Sequence, residues 1–369
     1  MKKEWMIKTL ALGIIVLFIC MNINFSLADD NVKKSSIPVS DGNTLYVGGS
    51  GEGNYSRIQD AIDNASVGDT VFVYDDSSPY YENVIINKSI TLLGENRDNT
   101  IIDAGGLDSP VWIGANSVTV CGFTLQNSGN SQYNAGVHIG TLYNGGNENC
   151  KVIGNKILNS CDGIYAFFPF YHLIEENMIM NNRNYGIYLH GSGSEGRVQI
   201  INNTIINNSD YGIGIYDTNY NNIIGNIFIN NGYAGLSIRT TSNYIAKNII
   251  KNHTYGIKIR GLNTVKLNSI ENNNIGIYVD TGPCKVEKNN FINNQLHAFF
   301  SWDFTIPIYR IRWNRNYWDD WNFILPRIIR GERVIIIVFH GIEFKLKLLN
   351  GSWVNFDWHP VKEPYDIGV

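Results

Sequence analysis

The sequence predicts an all-β solenoid, a parallel β-helix with coils of about 22 residues. Two repeated phrases and one periodicity carry that reading. The first phrase, Asn-x-apolar-x-Asn, occurs at Asn155/Ile157/Asn159, Asn177/Ile179/Asn181, Asn203/Ile205/Asn207 and Asn226/Phe228/Asn230. It continues at Asn248/Ile250/Asn252, Asn268/Ile270/Asn272 and Asn289/Phe291/Asn293, with successive spacings of 22, 26, 23, 22, 20 and 21 residues. The second, Gly-apolar-x-apolar, follows the first six copies from Gly163, Gly186, Gly212, Gly235, Gly256 and Gly276. Within each phrase the apolar residues alternate, as in Gly186-Ile187-Tyr188-Leu189. That is the two-residue period of a strand, and no i, i+3, i+4 stripe competes with it. The Leu-x-x-Leu-x-Leu spacing of leucine-rich repeats is missing. Coils of this length, holding short strands and tight turns, stack at roughly 4.8 Å.

Strand alternation puts Asn155, Ile157 and Asn159 on one side, inward, at the two ends of a short strand. Asn tolerates the left-handed backbone of a sharp corner. Stacked in successive coils, its amide donates in one direction and accepts from the other, which pairs polar groups inside the core. Both Asn columns are therefore expected to be buried ladders.

The formal charge is −4, which excludes a general nucleic-acid binder. Lys2, Lys3 and Lys8 precede an apolar run from Leu10 to Met21, and Ser26-Leu27-Ala28 follows. This is the pattern of a secretory signal peptide cleaved after Ala28, and the run is short for a membrane span. Without residues 1–28, which hold three lysines and one glutamate, the charge becomes −6. The protein is expected to be exported, to an extracellular, periplasmic or cell-surface location, with no transmembrane span left after cleavage. Export permits disulfides, but Cys150 and Cys284 hold the same repeat position six coils apart, roughly 29 Å on the strand spacing. Cys121, Cys150, Cys161 and Cys284 are expected as free thiols, with Cys121–Cys150 the one pairing to check.

Residues 29–43 are polar and patternless, a linker. Thr44-Leu45-Tyr46-Val47 reads as a strand. The following Gly-rich turn lacks the Gly-Lys-Ser/Thr of a phosphate loop. Tyr55–Ala65 reads as a helix with Ser56 as N-cap, Gln59 completing a capping box, and Ile58, Ala61, Ile62 and Ala65 as its apolar stripe. It is expected to cap the N-terminal end of the solenoid. Strands follow at Thr70–Tyr74, Asn83–Ile86, Ser89–Leu93 and Thr100–Asp103. Val118–Asn127, with Phe123 and Leu125 in phrase register, is an imperfect eighth copy. Beyond Ile306 the period is lost. Val334–Phe339 and Ile342–Leu348 read as a hairpin around His340-Gly341. The layout is thus 1–28 signal peptide, 29–43 linker, 44–300 β-helix with its helix at 55–65, and 301–369 C-terminal β/aromatic cap.

Several stretches resemble a known family. Ser56–Ala65, Gly68-Asp69-Thr70-Val71 and Ser89-Ile90-Thr91-Leu92-Leu93-Gly94 look like the entry of pectin-lyase-like right-handed parallel β-helix proteins. The Asn-x-Ile-x-Asn and Tyr-Gly-Ile phrases are similar to those of NosD-like periplasmic proteins and the wider carbohydrate-binding and sugar-hydrolase β-helix group. Asn316-Tyr317-Trp318-Asp319-Asp320-Trp321 and Asn355-Phe356-Asp357-Trp358-His359-Pro360 look like the endings of secreted archaeal members. The resemblance covers about residues 44–369 and implies a right-handed coil. For function it implies a choice among lyases, epimerases, binding modules and copper-site maturation factors.

Alternation also predicts an exposed stripe, two and four residues after each repeat Gly. The first column reads Tyr165, Tyr188, Gly214, Ser237, Lys258, Tyr278, and the second reads Phe167, His190, Tyr216, Arg239, Arg260, Asp280. Sugars bind flat aromatic faces beside polar donors, and acidic sugars add a need for Arg or Lys. Strand surfaces also favour Tyr and long charged side chains on packing grounds alone. The expected ligand site is Tyr188, His190, Tyr216, Arg239, Lys258, Arg260 and Tyr278, holding extended polysaccharide or cell-envelope glycan. The apolar outward residues of the Asn phrases, Met178, Met180, Ile206, Ile227, Ile229, Ile249 and Ile292, call for a cover; the C-terminal segment is one candidate.

Catalytic and metal sites are not expected. Asp162, Glu175 and Glu176 lie in different parts of their coils. Asp319 and Asp320 are adjacent, so in a strand they would face opposite ways. The histidines form neither His-x-His nor His-x-x-His, and Met178 with Met180 is the one close Met pair. The preferred reading is a non-catalytic β-helix protein without cofactor. A polysaccharide lyase or hydrolase with a non-standard site, and a structural surface protein or NosD-like copper-site maturation factor, stand as alternatives. The sequons at Asn207 and Asn252, being ladder positions, are expected to be buried; Asn54, Asn87 and Asn350 are the better glycan acceptors.

Overall fold

A computed structural model describes residues 42–140, 147–303, 311–323, 325–339 and 342–368, with the side chains of 192, 194, 303 and 333–352 excepted. The signal segment, most of the linker, the His340-Gly341 turn and the Asn350 side chain lie outside them.

Each coil contributes three short strands to three parallel ladders, as in Lys151–Ile153, Lys156–Leu158 and Asp162–Phe167. Face A runs from Thr44–Val47 to Arg312–Asn314. Face B holds ten strands, from Ile101–Asp103 to Tyr317–Trp318. Face C runs from Val84–Ile86 to Leu296–Asp303. The solenoid has about 11 turns of roughly 23 residues.

Alternation fills the core with stacked columns. Face A points Val152, Ile174, Ile200, Ile223 and Ile245 inward, and face B points Ile157, Ile179, Ile205, Phe228 and Ile250, all fully buried. Face C adds two residues per strand, such as Ile187 with Leu189 and Ile213 with Ile215. Packing of this kind contributes about 1.5–3 kcal/mol per fully buried aliphatic side chain.

The first Asn of each phrase builds the expected ladder. Asn203 Nδ2 donates to Asn226 Oδ1 at 3.0 Å, and Asn248 Nδ2 donates to Asn268 Oδ1 at 2.9 Å. The second Asn does not. Asn159, Asn181, Asn207, Asn230, Asn252, Asn272 and Asn293 take left-handed φ values of 51–62° and lie exposed. At that corner alternation breaks, and the inward position passes to the next residue. Ser160, Asn182, Asn208, Asn231, His253, Asn273 and Asn294 form the second ladder instead. The sequons at Asn207 and Asn252 are consequently on the surface. A third, shorter ladder links Asn221, Asn243 and Asn263. Cys150 and Cys284 occupy the equivalent inward position in their coils and are buried free thiols, and Cys121 and Cys161 are also free.

The N-terminal helix, α1, spans Ile58–Asn64 and buries Ile58, Ala61 and Ile62 against the first coils. Its N-cap is Arg57, with no side-chain capping bond, so Ser56 and Gln59 form no capping box. Glu82 from the next coil takes the Ile58 and Gln59 N–H groups at 2.9 and 3.1 Å. At the other end Lys88 Nζ donates to the carbonyls of Ile62, Asp63 and Ala65. An acid at the N-terminus and a base at the C-terminus both complement the helix dipole.

At the C-terminus aromatic residues fill the core columns, with Phe291 stacked on Trp318 at 4.3 Å and Trp313 buried beside them. Strands Arg327–Phe339 and Ile342–Asp357 form an antiparallel hairpin whose bases extend faces C and A. Among the described residues the tail crosses face B at its last two coils only, where Asn290 and Tyr365 exchange two 2.8 Å hydrogen bonds and Val361 pairs with Tyr317. Met178, Met180, Ile206, Ile227, Ile229 and Ile249 stay half-buried beyond its reach.

Candidate functional site

Face C carries an aromatic ladder along its outer side. The register aligns Trp112, His138, Tyr165, Tyr188, Gly214, Ser237, Lys258, Tyr278 and Phe299 on successive strands. A parallel column aligns Phe167, His190, Tyr216 and Arg239. Tyr188 and Tyr216 meet edge to face at 5.6 Å, and Tyr188 stacks on His190 at 5.8 Å. Arg239 lies over the Tyr216 ring at 5.3 Å. The expected residues Tyr188, His190, Tyr216, Arg239, Lys258, Arg260 and Tyr278 thus share one face. Tyr165 and Ser237, also expected outward, are covered by their neighbours to 1 % exposure.

A third column was not expected. Tyr185, Tyr211 and Tyr255, just before a repeat Gly, and Tyr233, two residues before Gly235, lie on the outer side. Tyr185 stacks on Tyr211, Tyr211 meets Tyr233 edge to face, and Tyr233 tilts against Tyr255, with centroids 4.8, 5.3 and 5.2 Å apart. The repeat Gly explains this. A Cβ at Gly186 would meet Gly212 O and Ile205 Cγ2, both at 2.6 Å, so the Gly already points into the core. Gly and the following apolar residue are inward in succession, and Tyr185, Tyr211 and Tyr255 before them turn out, whereas Ala234 before Gly235 is buried and Tyr233 turns out in its place. The Tyr-Gly-Ile phrase held this signal, which a strict two-residue period conceals. At Gly214 the missing side chain makes room for the Tyr185 ring.

Lys258 sits in a cage of three rings, 5.1, 5.4 and 5.9 Å from Tyr233, Tyr255 and Tyr278, and its Nζ donates to Tyr233 Oη at 3.0 Å. Cation–π attraction holds the ammonium in place. Burial pushes the Tyr188 and Tyr211 phenols up to about 12, so the stripe presents neutral hydroxyls. Beneath it Asp162, 2 % exposed, accepts the Tyr185 N–H, and burial raises its carboxyl to about 7.

A second cluster forms at the C-terminal turn. Asp319 and Asp320 both reach His297 Nε2, at 2.9 and 3.3 Å, because they sit in a turn after Tyr317–Trp318 and not in a strand. Their expected divergence is corrected on that ground. Arg327 pairs with Asp320 at 2.8 Å.

The comparisons with known proteins agree with this architecture. The family model described as periplasmic copper-binding protein (NosD) matches residues 62–245, and that of the right-handed β-helix region matches residues 192–306. The chain belongs to the NosD-like right-handed β-helix family. It is 32 % identical over 245 residues to a cell surface glycoprotein of Methanothermus fervidus. That match covers 62 % of this chain and 39 % of the relative, so the chain spans about two-fifths of the relative's length. Among solved structures it resembles the periplasmic alginate epimerase AlgG, with TM-score 0.52, 16 % identity, and 67 % of this chain and 66 % of that one covered. It also resembles XylC in complex with xylose, with TM-score 0.52, 11 % identity, and coverage of 84 % and 74 %. The AlgE4 A-module of Azotobacter vinelandii mannuronan C-5 epimerase gives 0.52, 15 %, 66 % and 86 %. At these identities the likeness is one of fold.

Copper, which the NosD description brings in, does not fit the described residues. Among the described residues no cysteine joins a group of three His, Cys, Asp or Glu side chains, and burial raises the pKa of the Cys121, Cys150, Cys161 and Cys284 thiols. Among the described residues the one cluster of three His, Cys, Asp or Glu ligands is His297–Asp319–Asp320. There Asn294 Oδ1 is held by Asn273, so Asn294 Nδ2 faces His297 Nδ1 at 3.3 Å. Nδ1 must accept, and the proton sits on Nε2, pointing at the carboxylates. The nitrogen a metal would need is committed as a donor, and Arg327 already neutralises Asp320.

Proposed function

We propose that this NosD-like protein is exported to the cell surface and holds extended polysaccharide along face C without cleaving it. One observation carries the reading: a run of ring contacts from Trp112 to Phe299, which leaves the first column at Tyr188, passes through Tyr185, Tyr211, Tyr233 and Tyr255, and rejoins it at Tyr278, with Lys258 and Arg239 beside it. Rings spaced by the strand repeat offer a sugar chain a series of stacking surfaces. The cations add contacts for acidic residues along it. Of the nearby carboxyls, Asp162 lies buried beneath the rings and Asp280 accepts a hydrogen bond from Tyr278 Oη. The signal-peptide pattern and the cell-surface relative support the location.

Affinity electrophoresis through gels containing neutral or uronic-acid polysaccharides tests this reading. Retardation by one polymer, abolished in Tyr188→Ala/Tyr216→Ala, is the expected result. Equal mobility in every gel refutes it, and shortening of the gel polymer replaces it with an enzymatic role.

A further inference from the structure

Where the last coil meets the return strand of the hairpin, a cleft of about 760 Å³ opens between the ends of faces A and C. That volume lies in the range of small-ligand sites. Rings form its walls. Trp302 and Trp353 meet edge to face at 4.9 Å, and Trp358, 61 % exposed, lies 5.2 Å from Phe356.

Two observations indicate what the cleft accepts. Lys285 and Arg312 are register partners on adjacent parallel strands, both exposed and both lining the cleft. Neither forms an ion pair among the described residues. Like charges placed side by side on a sheet repel, and an anion between them relieves that repulsion. Glu287 lines the same cleft and leaves the rim net positive. Behind the rings Trp313 is 3 % exposed in the core, and among the described residues its Nε1–H has no acceptor. The Trp302 Nε1–H is likewise without an acceptor among the described residues. Buried donors are ordinarily satisfied. A ligand with apolar C–H faces and a carboxylate answers the ring walls and the paired cations together.

We infer that this cleft binds the end of an acidic oligosaccharide, with a uronic-acid carboxylate between Lys285 and Arg312. The residues are separate from the face C stripe, so the inference stands without the polysaccharide reading.

Titration of the protein with trigalacturonate, followed by tryptophan fluorescence, tests it, with maltotriose and sodium sulfate as parallel ligands. A saturable change is expected with trigalacturonate alone. Lys285→Glu/Arg312→Glu should weaken it at least about tenfold, as should Trp358→Ala. Tyr188→Ala/Tyr216→Ala should leave it unchanged, which separates this site from the stripe. An equal response to maltotriose, or an unchanged response in the charge-reversed variant, overturns the inference. Sulfate binding with equal affinity reduces the site to a simple anion site and overturns it too. Trp358→Ala decides the matter if the charge-reversed variant melts early.

Discussion

Asn316 Nδ2 donates to Asp357 Oδ2 at 2.9 Å, and that bond ends the first asparagine ladder on a carboxylate. Each ladder Asn passes its donors to the Oδ1 of the next, so the last one needs an acceptor that demands none in return. Asp357, fully buried, accepts five N–H groups: two from Asn316 and one each from Arg315, Trp318 and His359. Asp357→Asn replaces one oxygen with a donor. It is expected to cost about 2–4 kcal/mol by leaving at least two N–H groups opposed. Chemical denaturation measures this.

In the middle of the same ladder, Asn248 Oδ1 accepts from Asn226 N and Nδ2, and its own Nδ2 donates to Asn268 Oδ1 and Ile223 O. Asn248→Ala strands these groups and opens a gap, for an expected loss of about 3–5 kcal/mol. The exposed Asn252→Ala, four residues on, should cost about 1 kcal/mol, mainly from its left-handed backbone. Equal losses would show that the two columns are equivalent after all.

Asp162 gives a pH test with a definite sign. Its carboxyl titrates at about 7 when folded against 3.8 as the ordinary value. Between roughly pH 4 and 7 the unfolded chain therefore releases a proton that the folded chain keeps. Stability falls as pH rises through that window, by up to about 1.4 kcal/mol per unit, and levels off above it. Asp162→Asn keeps an oxygen for the Tyr185 N–H and removes the charge. Its melting temperature should match that of the parent near pH 4 and exceed it increasingly up to pH 7.

Two glycines separate packing from function. A Cβ at Gly186 meets a carbonyl oxygen and a core methyl at 2.6 Å, so Gly186→Ala should destabilise by about 1–3 kcal/mol. A Cβ at Gly214 meets only ring atoms, the Tyr185 edge at 2.5 Å and Tyr216 at 3.1 Å, and these rings have solvent to move into. Gly214→Ala should leave the melting temperature nearly unchanged and reduce retardation in polysaccharide gels.

Thiol accessibility is the last test. Burial pushes Cys150 to about 11 and Cys284 to about 12 and also raises Cys121 and Cys161. A disulfide-exchange reagent at pH 8 should label the native protein slowly, with Cys121 first because it is only half-buried. Denaturant should release all four at once.

Much of this molecule was legible in its sequence. In a parallel solenoid a residue's neighbour is the one about a coil away, so period and alternation together assign the columns. Val152 beneath Ile174, and Tyr188 beside His190 and Tyr216, follow from counting. The features that escaped counting are those where alternation fails or where partners are distant in the chain. The left-handed Asn159 hands its inward place to Ser160, and the inward Gly186 turns Tyr185 outward; each shifts the pattern by one residue. Glu82 and Lys88 cap α1, His297 gathers Asp319 and Asp320, and Asp357 ends a ladder begun some 200 residues earlier, at Asn155. The sequence alone determined the coil, its core and the face that carries the rings, because these rest on local periodicity. The closure of both ends and the true ladder positions were decided by the tertiary structure, because buried donors and carboxylates choose partners by proximity in space.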